Sequence, residues 1–231
     1  MRLVTETDKN SHFANWLLEV GNGNFTSEQN NKIALPAYMK VGPNIQSLID
    51  TIYPNIQIGA PNDNYLKDRM ILSARNDDVR DINCDILNMF PGEKYTYLSM
   101  NEAIIEDGAD NHNIYSTEYL NTLNSSGMPP AKLELKIVVN HLTDHVIEAR
   151  ILCGVHAGKT VFIPCITLSP ISTNLPFIFK RRQFSIHNAF AITINKSQEQ
   201  SLMHVGQLYV ALSRCTSPHL IKVLLPQENE D

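Results

Sequence analysis

Apolar and polar residues near the start of the chain follow the spacing of a surface helix. Four apolar side chains recur at positions i, i+3, i+4 and i+7: Phe13, Trp16, Leu17 and Val20. Because that spacing places all four on one side of an α-helix, it predicts a helix over residues 12–20. Ser11 precedes the run and Gly21 follows it, as expected for the two caps. We therefore assign the four side chains to a core rather than to a site.

A strand, a helix cap, a helix and a second strand follow one another between residues 70 and 98. The apolar run at 70–74 predicts a short buried strand, and Asn76 after it is a favourable N-cap residue. The helix predicted from there ends before Pro91, and residues 94–98 form the second strand. This order is typical of a β-α-β unit, so we predict that both strands belong to a parallel sheet.

The spacing of apolar residues changes from helical to alternating at residue 132. Leucine and isoleucine alternate with charged residues over 132–137, and short apolar runs follow at 146–152 and 160–166. This pattern predicts a small antiparallel β insert or barrel. The acidic stretch 101–113 before it is predicted to be a surface loop.

After Pro176 the earlier pattern returns, with a short buried run at residues 189–194. We therefore predict an α/β protein in which an antiparallel β insert interrupts a parallel-sheet domain. The predicted boundaries are 1–116 for the first part of that domain, 117–176 for the insert and 177–231 for the remainder.

Composition narrows the class of protein. The 231 residues are 43% hydrophobic and 19% charged, which is ordinary for a globular chain and unlike a disordered or fibrous one. The four cysteines are far apart, so neither a disulfide framework nor a metal site is predicted. No apolar run has the roughly 20 residues of a membrane helix, and the first residues lack the apolar stretch of a signal peptide. We expect an intracellular protein that is neither secreted nor membrane-bound.

Charge is distributed unevenly along a chain whose formal net charge is -5. Residues 1–150 contain 12 Lys and Arg against 20 Asp and Glu, whereas residues 151–225 contain seven Lys and Arg against one acid. A basic segment on an acidic chain is typical of contact with an anionic partner, nucleic acid or nucleotide first, but also of a solvated basic face. Both interpretations stay open at this point, and the run Lys180–Arg182 does not decide between them.

Residues 154–160, G-V-H-A-G-K-T, resemble the phosphate-binding P-loop. One residue is missing between the two glycines, and a P-loop joins a strand to a helix, whereas V-F-I-P follows here and favours a strand. We therefore predict a hairpin turn. Because the sequence contains no other P-loop, we expect that this chain does not hydrolyse ATP by itself.

Two segments near the end carry a resemblance to a known family. Residues 192–202, I-T-I-N-K-S-Q-E-Q-S-L, resemble the signature T-I-N-K-S-Q-G-Q-T-L, and residues 206–214, G-Q-L-Y-V-A-L-S-R, resemble its companion. In this order the pair resembles the PIF-one type ATP-dependent DNA helicases, most closely their Helitron-like branch. Residues 70–82, 117–136 and 156–183 agree, so the likeness spans nearly the whole chain as the C-terminal half of a longer enzyme.

The resemblance implies a fold and an activity. Such enzymes have two RecA-like motor domains, with ATP and Mg²⁺ between them and single-stranded DNA across both. This chain resembles the second motor domain, incomplete, and the β insert resembles the family's small barrel. The implied activity is ATP-driven 5′-to-3′ translocation and duplex unwinding, in the nucleus, for DNA repair, recombination and telomere maintenance. We expect the chain alone to bind no cofactor and to be inactive without the missing first motor domain as partner.

The resemblance also implies roles for individual residues. Arg214 and Arg2 match the two cations that reach the γ-phosphate, a role that suits the charged, bidentate guanidinium, and Gln207 accompanies Arg214 in the ATP cleft. No residue is assigned to a metal, and the run Lys180–Arg182 adds charge along the DNA path. The implied DNA contacts are Asn76, Lys196, Ser197, Gln198 and Gln200.

Each of these roles has a structural alternative. Arg214 at a helix end also favours the helix dipole, and Arg2 so near the start also suits a frayed end. Asn76 and Ser197 also suit the simpler role of helix cap. The roles stay open between these alternatives.

Departures from the family pattern favour a second hypothesis. Glu199 replaces a glycine of the first motif, which adds a side chain and a negative charge where DNA is expected. Stretches that the family carries before Gly206 and after Lys136 are missing. The alternative is a non-catalytic nucleic-acid-binding remnant of a transposon-derived helicase, and a third possibility is a translated product that does not fold.

Overall fold

The computed structural model of the chain describes residues 8–22, 35, 37–39, 42, 44–58, 65–66, 69–105, 114–125, 127–136, 141–151, 155–170, 174–194 and 222–223. They belong to two compact units. The described residues of the first unit fall within Met1–Ile56, Arg69–Ile86 and Ala189–Asp231, and those of the second within Gln57–Asp68 and Leu87–Asn188.

Helix α1 (Asp8–Gly21) is the first described element of the first unit, and its apolar side lies in a small core. Phe13 and Leu17 are buried together with Met39, and Trp16 packs against them. The predicted helix and its buried face are confirmed. The helix starts earlier than predicted, so Ser11 lies inside it rather than at its cap.

Helix α2 (Ile45–Ile52) is capped by Asn44, whose side chain accepts a hydrogen bond from the backbone N–H of Ser47 at 2.9 Å. Such a cap satisfies one of the backbone donors that the first turn leaves unpaired. Tyr53 follows the helix and is buried, and its Oη donates to the carbonyl oxygen of Phe190 at 2.8 Å. The end of α2 is thereby tied to the residue that precedes Ala191.

Two short strands pair in parallel in the first unit. Strand β1 (Ile71–Ser73) lies beside β9 (Ala191–Thr193), with Ser73 opposite Thr193. Helix α3 (Asn76–Met89) follows β1 and carries Asp77 and Asp78 in its first turn. The predicted strands and the acidic helix start are confirmed, but the helix begins at Asn76 itself, which is therefore not its cap.

The second strand of the predicted β-α-β unit does not join this parallel pair. Strand β2 (Lys94–Leu98) pairs antiparallel with β4 (Lys132–Lys136), with Tyr97 opposite Leu133. The β-α-β prediction is therefore wrong at its second strand. The side chains of β2 alternate between exposed and half-buried positions, as in an antiparallel strand with one wet face, whereas a parallel strand is covered on both faces.

Five strands of the second unit form an antiparallel sheet: β3 (Met100–Ile104), β5 (His141–Leu142), β6 (Val146–Arg150), β7 (Thr160–Leu168) and β8 (Ile178–Phe184). Their order across the sheet is β3-β8-β7-β6-β5. The predicted antiparallel subdomain is confirmed, and it also contains β3. The prediction of a loop is thus wrong for residues 101–104. Glu102 is exposed on one face of the strand, whereas Asn101, Ala103 and Ile104 are half-buried. The predicted boundaries at residues 116 and 176 stay predictions.

The five-stranded sheet packs on both faces. Phe179 and Phe184 are five residues apart on β8 and therefore point to opposite sides. Phe179 packs with Leu120 of helix α4 (Thr117–Thr122) and with Met128 and Phe177, and Phe184 packs with Leu133 of β4 and Ile147 of β6. Within the described part of the chain, no helix is both long and apolar enough to cross a membrane.

Candidate nucleic-acid interface

The carboxyl ends of β1 and β9 meet at one edge of the parallel pair. The backbone N–H of Ile194 donates to the carbonyl oxygen of Ser73 at 3.0 Å, which extends the pairing one residue past β9. In open parallel sheets, ligands bind beyond the carboxyl ends of the strands. Asn76 follows β1 by three residues in the sequence, and Lys196 follows β9 by three. The chain therefore leaves both strands at the same edge toward segments with predicted DNA contacts.

Hydrogen bonds of Ser73 shape the turn from β1 into α3. Its Oγ donates to Oδ2 of Asp78 at 2.9 Å and accepts the backbone N–H of Arg75 at 3.3 Å. The Asp78 carboxylate also lies in the first helical turn, where it suits the positive end of the helix dipole. Asn76 is exposed in this turn, so its amide is accessible at the edge where β1 ends. Its contact with DNA stays a prediction.

Asn83 anchors β9 to helix α3, a contact that was not predicted from the sequence. Its Nδ2 donates to the carbonyl oxygen of Ala191 and its Oδ1 accepts the N–H of the same residue, both at 2.9 Å. The side chain is 8% exposed. The sequence carried one signal for this contact: Asn83 is a polar residue next to Ile82 on the buried side of the helix. A buried amide needs hydrogen-bond partners, and the backbone of a neighbouring strand can supply them.

The three consecutive cations of β8 do not share one environment. Arg181 is fully buried, and desolvation lowers the pKa of its guanidinium. Its Nε donates to Oδ1 of Asn101 at 2.7 Å, Nη1 to the carbonyl oxygen of Pro129 at 3.0 Å and Nη2 to that of Leu120 at 2.9 Å. The prediction that the whole run adds charge along a DNA path is therefore wrong for Arg181, because strand alternation turns it inward.

Lys180 and Arg182 point to the opposite face of the sheet. Arg182 lies opposite Met100 of β3 and Thr167 of β7, and Lys180 lies opposite Glu102 of β3. These five residues and Asn101 line a surface pocket of about 330 Å³. Within the described residues, neither cation has an ion-pair partner, so both charges are available to an anionic ligand.

The segment that resembles a P-loop is the turn between β6 and β7. The backbone N–H of Gly158 donates to the carbonyl oxygen of Ile151 at 2.7 Å, and that of Ile151 to the carbonyl oxygen of Lys159 at 2.9 Å. Gly158 has a φ of 84°, which only glycine adopts at little cost. The predicted hairpin is confirmed: the chain continues into strand β7 at Thr160, where a P-loop would continue into a helix.

Most residues that the motifs single out lie outside the described part of the chain. They are Arg2, Lys196, Ser197, Gln198, Gln200, Gln207 and Arg214. Their roles, and the binding of ATP and Mg²⁺, stay predictions. Among the described residues, no three His, Cys, Asp or Glu side chains are grouped so that they could hold a metal ion.

Solved structures with a similar fold include Pif1 helicases. A structure of two coordinating Pif1 helicases that unwind forked double-stranded DNA has a TM-score of 0.54 at 20% identity, over 97% of this chain and 48% of that one. Bacteroides Pif1 bound to single-stranded DNA has a TM-score of 0.53 at 20% identity, over 97% of this chain and 49% of that one. Pif1 helicase from Candida albicans has a TM-score of 0.52 at 17% identity, over 93% of this chain and 53% of that one. No protein-family model and no curated protein matches the sequence.

These likenesses establish the class of fold. The chain is a mixed α/β protein with a parallel strand pair and a curled antiparallel sheet, as predicted for a helicase motor domain with a small inserted barrel. It has the fold of part of a Pif1 helicase and spans about half the length of these solved chains. The predicted likeness to the PIF-one type is therefore confirmed for the fold, while the Helitron-like branch stays a prediction.

Proposed function

We propose that this chain is the C-terminal half of an ATP-dependent 5′-to-3′ DNA helicase that translocates on single-stranded DNA and unwinds duplexes. The observation that carries the proposal is the fold, shared with a Pif1 helicase over 97% of the chain. A fold alone does not define a function, so the two ordered motifs at 192–202 and 206–214 supply the chemical part. The nuclear location, the roles in DNA repair, recombination and telomere maintenance, and the Helitron-like branch belong to the proposal through the resemblance.

Single-stranded DNA is the proposed ligand of the edge where β1 and β9 end. Ammonium, hydroxyl and amide donors suit phosphate oxygens, and Asn76 and the first motif supply such donors. The parallel pairing of β1 with β9, and the anchor that Asn83 provides for β9, support this placement. The proposed contacts of the first motif are Lys196, Ser197, Gln198 and Gln200.

Arg214 and Arg2 are the proposed cations for a nucleotide that a first motor domain binds, with Gln207 beside Arg214. Hydrolysis of ATP in the presence of Mg²⁺ supplies the energy for movement in such a motor. An arginine offered to the phosphates from a second domain stabilises the charge of the transition state. It is worth roughly 10³–10⁵ in rate in related NTPases.

The proposal can be tested by single-strand-stimulated ATPase activity in trans. The full chain is mixed with a separately produced P-loop motor domain of a Pif1 helicase, and hydrolysis is measured with and without an oligothymidylate. We expect stimulation by the wild-type chain and a loss of roughly 10³-fold or more with Arg214→Ala. Arg150→Ala removes an exposed arginine of β6 outside the proposed site and is expected to retain the activity. Equal rates for the two variants would refute the role of Arg214.

A non-catalytic nucleic-acid-binding remnant is the second candidate, and Glu199 in the first motif favours it. A carboxylate there repels the DNA backbone and occupies space that glycine leaves open. This candidate predicts salt-sensitive binding of single strands without any ATPase activity in trans. The ATPase assay with the wild-type chain separates the two candidates. If the wild-type chain is inactive, activity of Glu199→Gly would assign the loss to this carboxylate, and an inactive Glu199→Gly would favour the remnant.

A further inference from the structure

On the face of β3, β7 and β8 that carries Lys180 and Arg182, two cations stand beside an exposed apolar side chain. Lys180 and Arg182 lie two residues apart on one strand, so their Cα atoms are about 6.6–6.8 Å apart and both side chains stand on the same face. Met100 lies beside Arg182 and is 70% exposed. Thr167 adds a hydroxyl on the other side of Arg182.

We propose that this face, defined by Met100, Thr167, Lys180 and Arg182, is a contact surface for single-stranded nucleic acid. The inference rests on the proposed function and deepens it. The resemblance gives the run Lys180–Arg182 only as charge along the DNA path, whereas this face assigns that role to Lys180 and Arg182 and adds Met100 and Thr167. The two cations bind neighbouring phosphates of one strand, and Thr167 donates to a phosphate oxygen. Met100 offers apolar surface to a base, which a single strand exposes and a duplex buries within its stack.

The charges on the face favour an anionic partner. They also make one of the two cations the stronger phosphate contact. Glu102 lies opposite Lys180 on β3, and its carboxylate offsets part of the attraction of Lys180 for a phosphate. Arg182 has Met100 and Thr167 on its two sides, and neither is acidic. A guanidinium also binds phosphate bidentately, whereas an ammonium acts as a point charge. Arg182 is therefore the stronger phosphate contact of the pair.

Arg181 keeps the two cations on this face. A shift of β8 by one residue would turn Lys180 and Arg182 inward and Arg181 outward, because side chains alternate along a strand. The three hydrogen bonds of the buried Arg181 guanidinium to Asn101, Pro129 and Leu120 hold the observed register.

The proposal is tested by the salt dependence of binding to an oligothymidylate of about 16 nucleotides, measured by fluorescence anisotropy. Each phosphate contact on a single strand makes the slope of log K against log salt more negative by about 0.7. The double variant Lys180→Ala with Arg182→Ala is therefore expected to have a slope that is less steep by about 1.4. Between about 50 and 200 mM salt, the wild-type chain therefore loses about sevenfold more affinity than this double variant. Glu102→Gln is expected to strengthen binding.

The matched control is Arg150→Ala with Lys159→Ala, which removes two exposed cations of the same unit away from this face. We expect it to keep the slope of the wild-type chain. A photo-crosslinking amino acid at Met100 is expected to form adducts with the oligothymidylate, and one at Val155, 95% exposed in the hairpin turn, is not. Thermal melts confirm that all variants remain folded.

Each negative result has a separate meaning. If the wild-type chain binds the oligothymidylate but both double variants show the same slope, this surface is overturned and the proposed function stands. If crosslinks form at Val155 rather than at Met100, the surface is likewise misplaced. If the wild-type chain binds duplex and not single strands, or binds no nucleic acid, the proposed function fails together with this inference.

Discussion

Asn83 in the first unit and Arg181 in the second are both buried polar residues that connect distant segments, but they do so differently. Asn83 is neutral and exchanges two hydrogen bonds with a single residue, Ala191. Arg181 is a cation whose three acceptors belong to three segments and include no carboxylate. The amide fixes one point of one strand, whereas the guanidinium holds β3, the end of α4 and Pro129 together.

The difference follows from the donors and acceptors of the two side chains. An amide has both a donor group and an acceptor, so one backbone residue can satisfy it, while a guanidinium has five donors and no acceptor. A buried arginine must therefore collect oxygen atoms from several places, and it loses hydration that carbonyls replace only in part. We therefore expect substitution of the buried arginine to lower the free energy of unfolding more than substitution of the buried asparagine.

The largest effect is expected at Arg181. Arg181→Ala leaves a cavity and removes donors from two buried carbonyls and from Asn101, so the free energy of unfolding falls by about 3–5 kcal/mol. Arg181→Met refills most of the volume and loses about 1–3 kcal/mol. Denaturant unfolding of both variants measures this, with Arg182→Ala on the exposed face as control. An equal stability of Arg181→Ala and Arg182→Ala would contradict the assigned hydrogen bonds.

A smaller effect is expected at Asn83. Asn83→Ala leaves the N–H and the carbonyl of Ala191 without their partners in a buried position, at a cost of about 2 kcal/mol. The exposed neighbour Asp85 on the same helix is the control, and Asp85→Ala is expected to change stability by no more than about 0.5 kcal/mol. Hydrogen exchange at Ala191 reports the bond directly. Unchanged protection of that amide in Asn83→Ala would show that β9 is held by other contacts.

The smallest effect is expected at an ionic contact near the surface. Glu134 pairs with Lys132 and, at 3.3 Å, with Lys94, and hydrogen bonding to Lys132 in particular lowers its pKa below the ordinary value. A carboxyl group whose pKa is lowered by folding stabilises the protein above its unfolded pKa of about 4.3, and that contribution is lost as the pH falls through the folded pKa.

The wild-type chain is therefore expected to exceed Glu134→Gln in stability by less than about 1 kcal/mol at neutral pH. The two are expected to converge as the pH falls below about 4. Thermal melts of both proteins between about pH 3 and 7 measure this. A difference that stays constant over the range would mean that the ion pair contributes nothing.

Sequence patterns predicted several elements correctly because those elements depend on near neighbours. The spacing of Phe13, Trp16 and Leu17 predicted α1, and the glycine and strand residues around Gly158 predicted a hairpin in place of a P-loop. The acidic first turn of α3 was visible in the same way. Of the candidate site, Asn76 was predicted and lies exposed at the edge where β1 ends, whereas the residues of the two motifs lie outside the described part.

The sequence did not show which strands pair with each other. An alternating pattern shows that β2 has two different faces but not which strand it pairs with, so the prediction of a parallel partner failed. The stretch that contains β3 resembled a loop because Asn101 and Glu102 are adjacent polar residues, and their places on opposite faces of a strand were not visible in the sequence. The buried role of Arg181 could not be predicted either, since three consecutive basic residues look alike until one face of their strand is covered.

The sequence by itself determined the local elements of this protein, its hairpin turn and its likeness to a helicase, since spacing and motif order are properties of neighbouring residues. Only the tertiary structure decided which cations face solvent. That choice depends on the register of β8 against β3 and on contacts such as that of Arg181 with Asn101, 80 residues away along the chain.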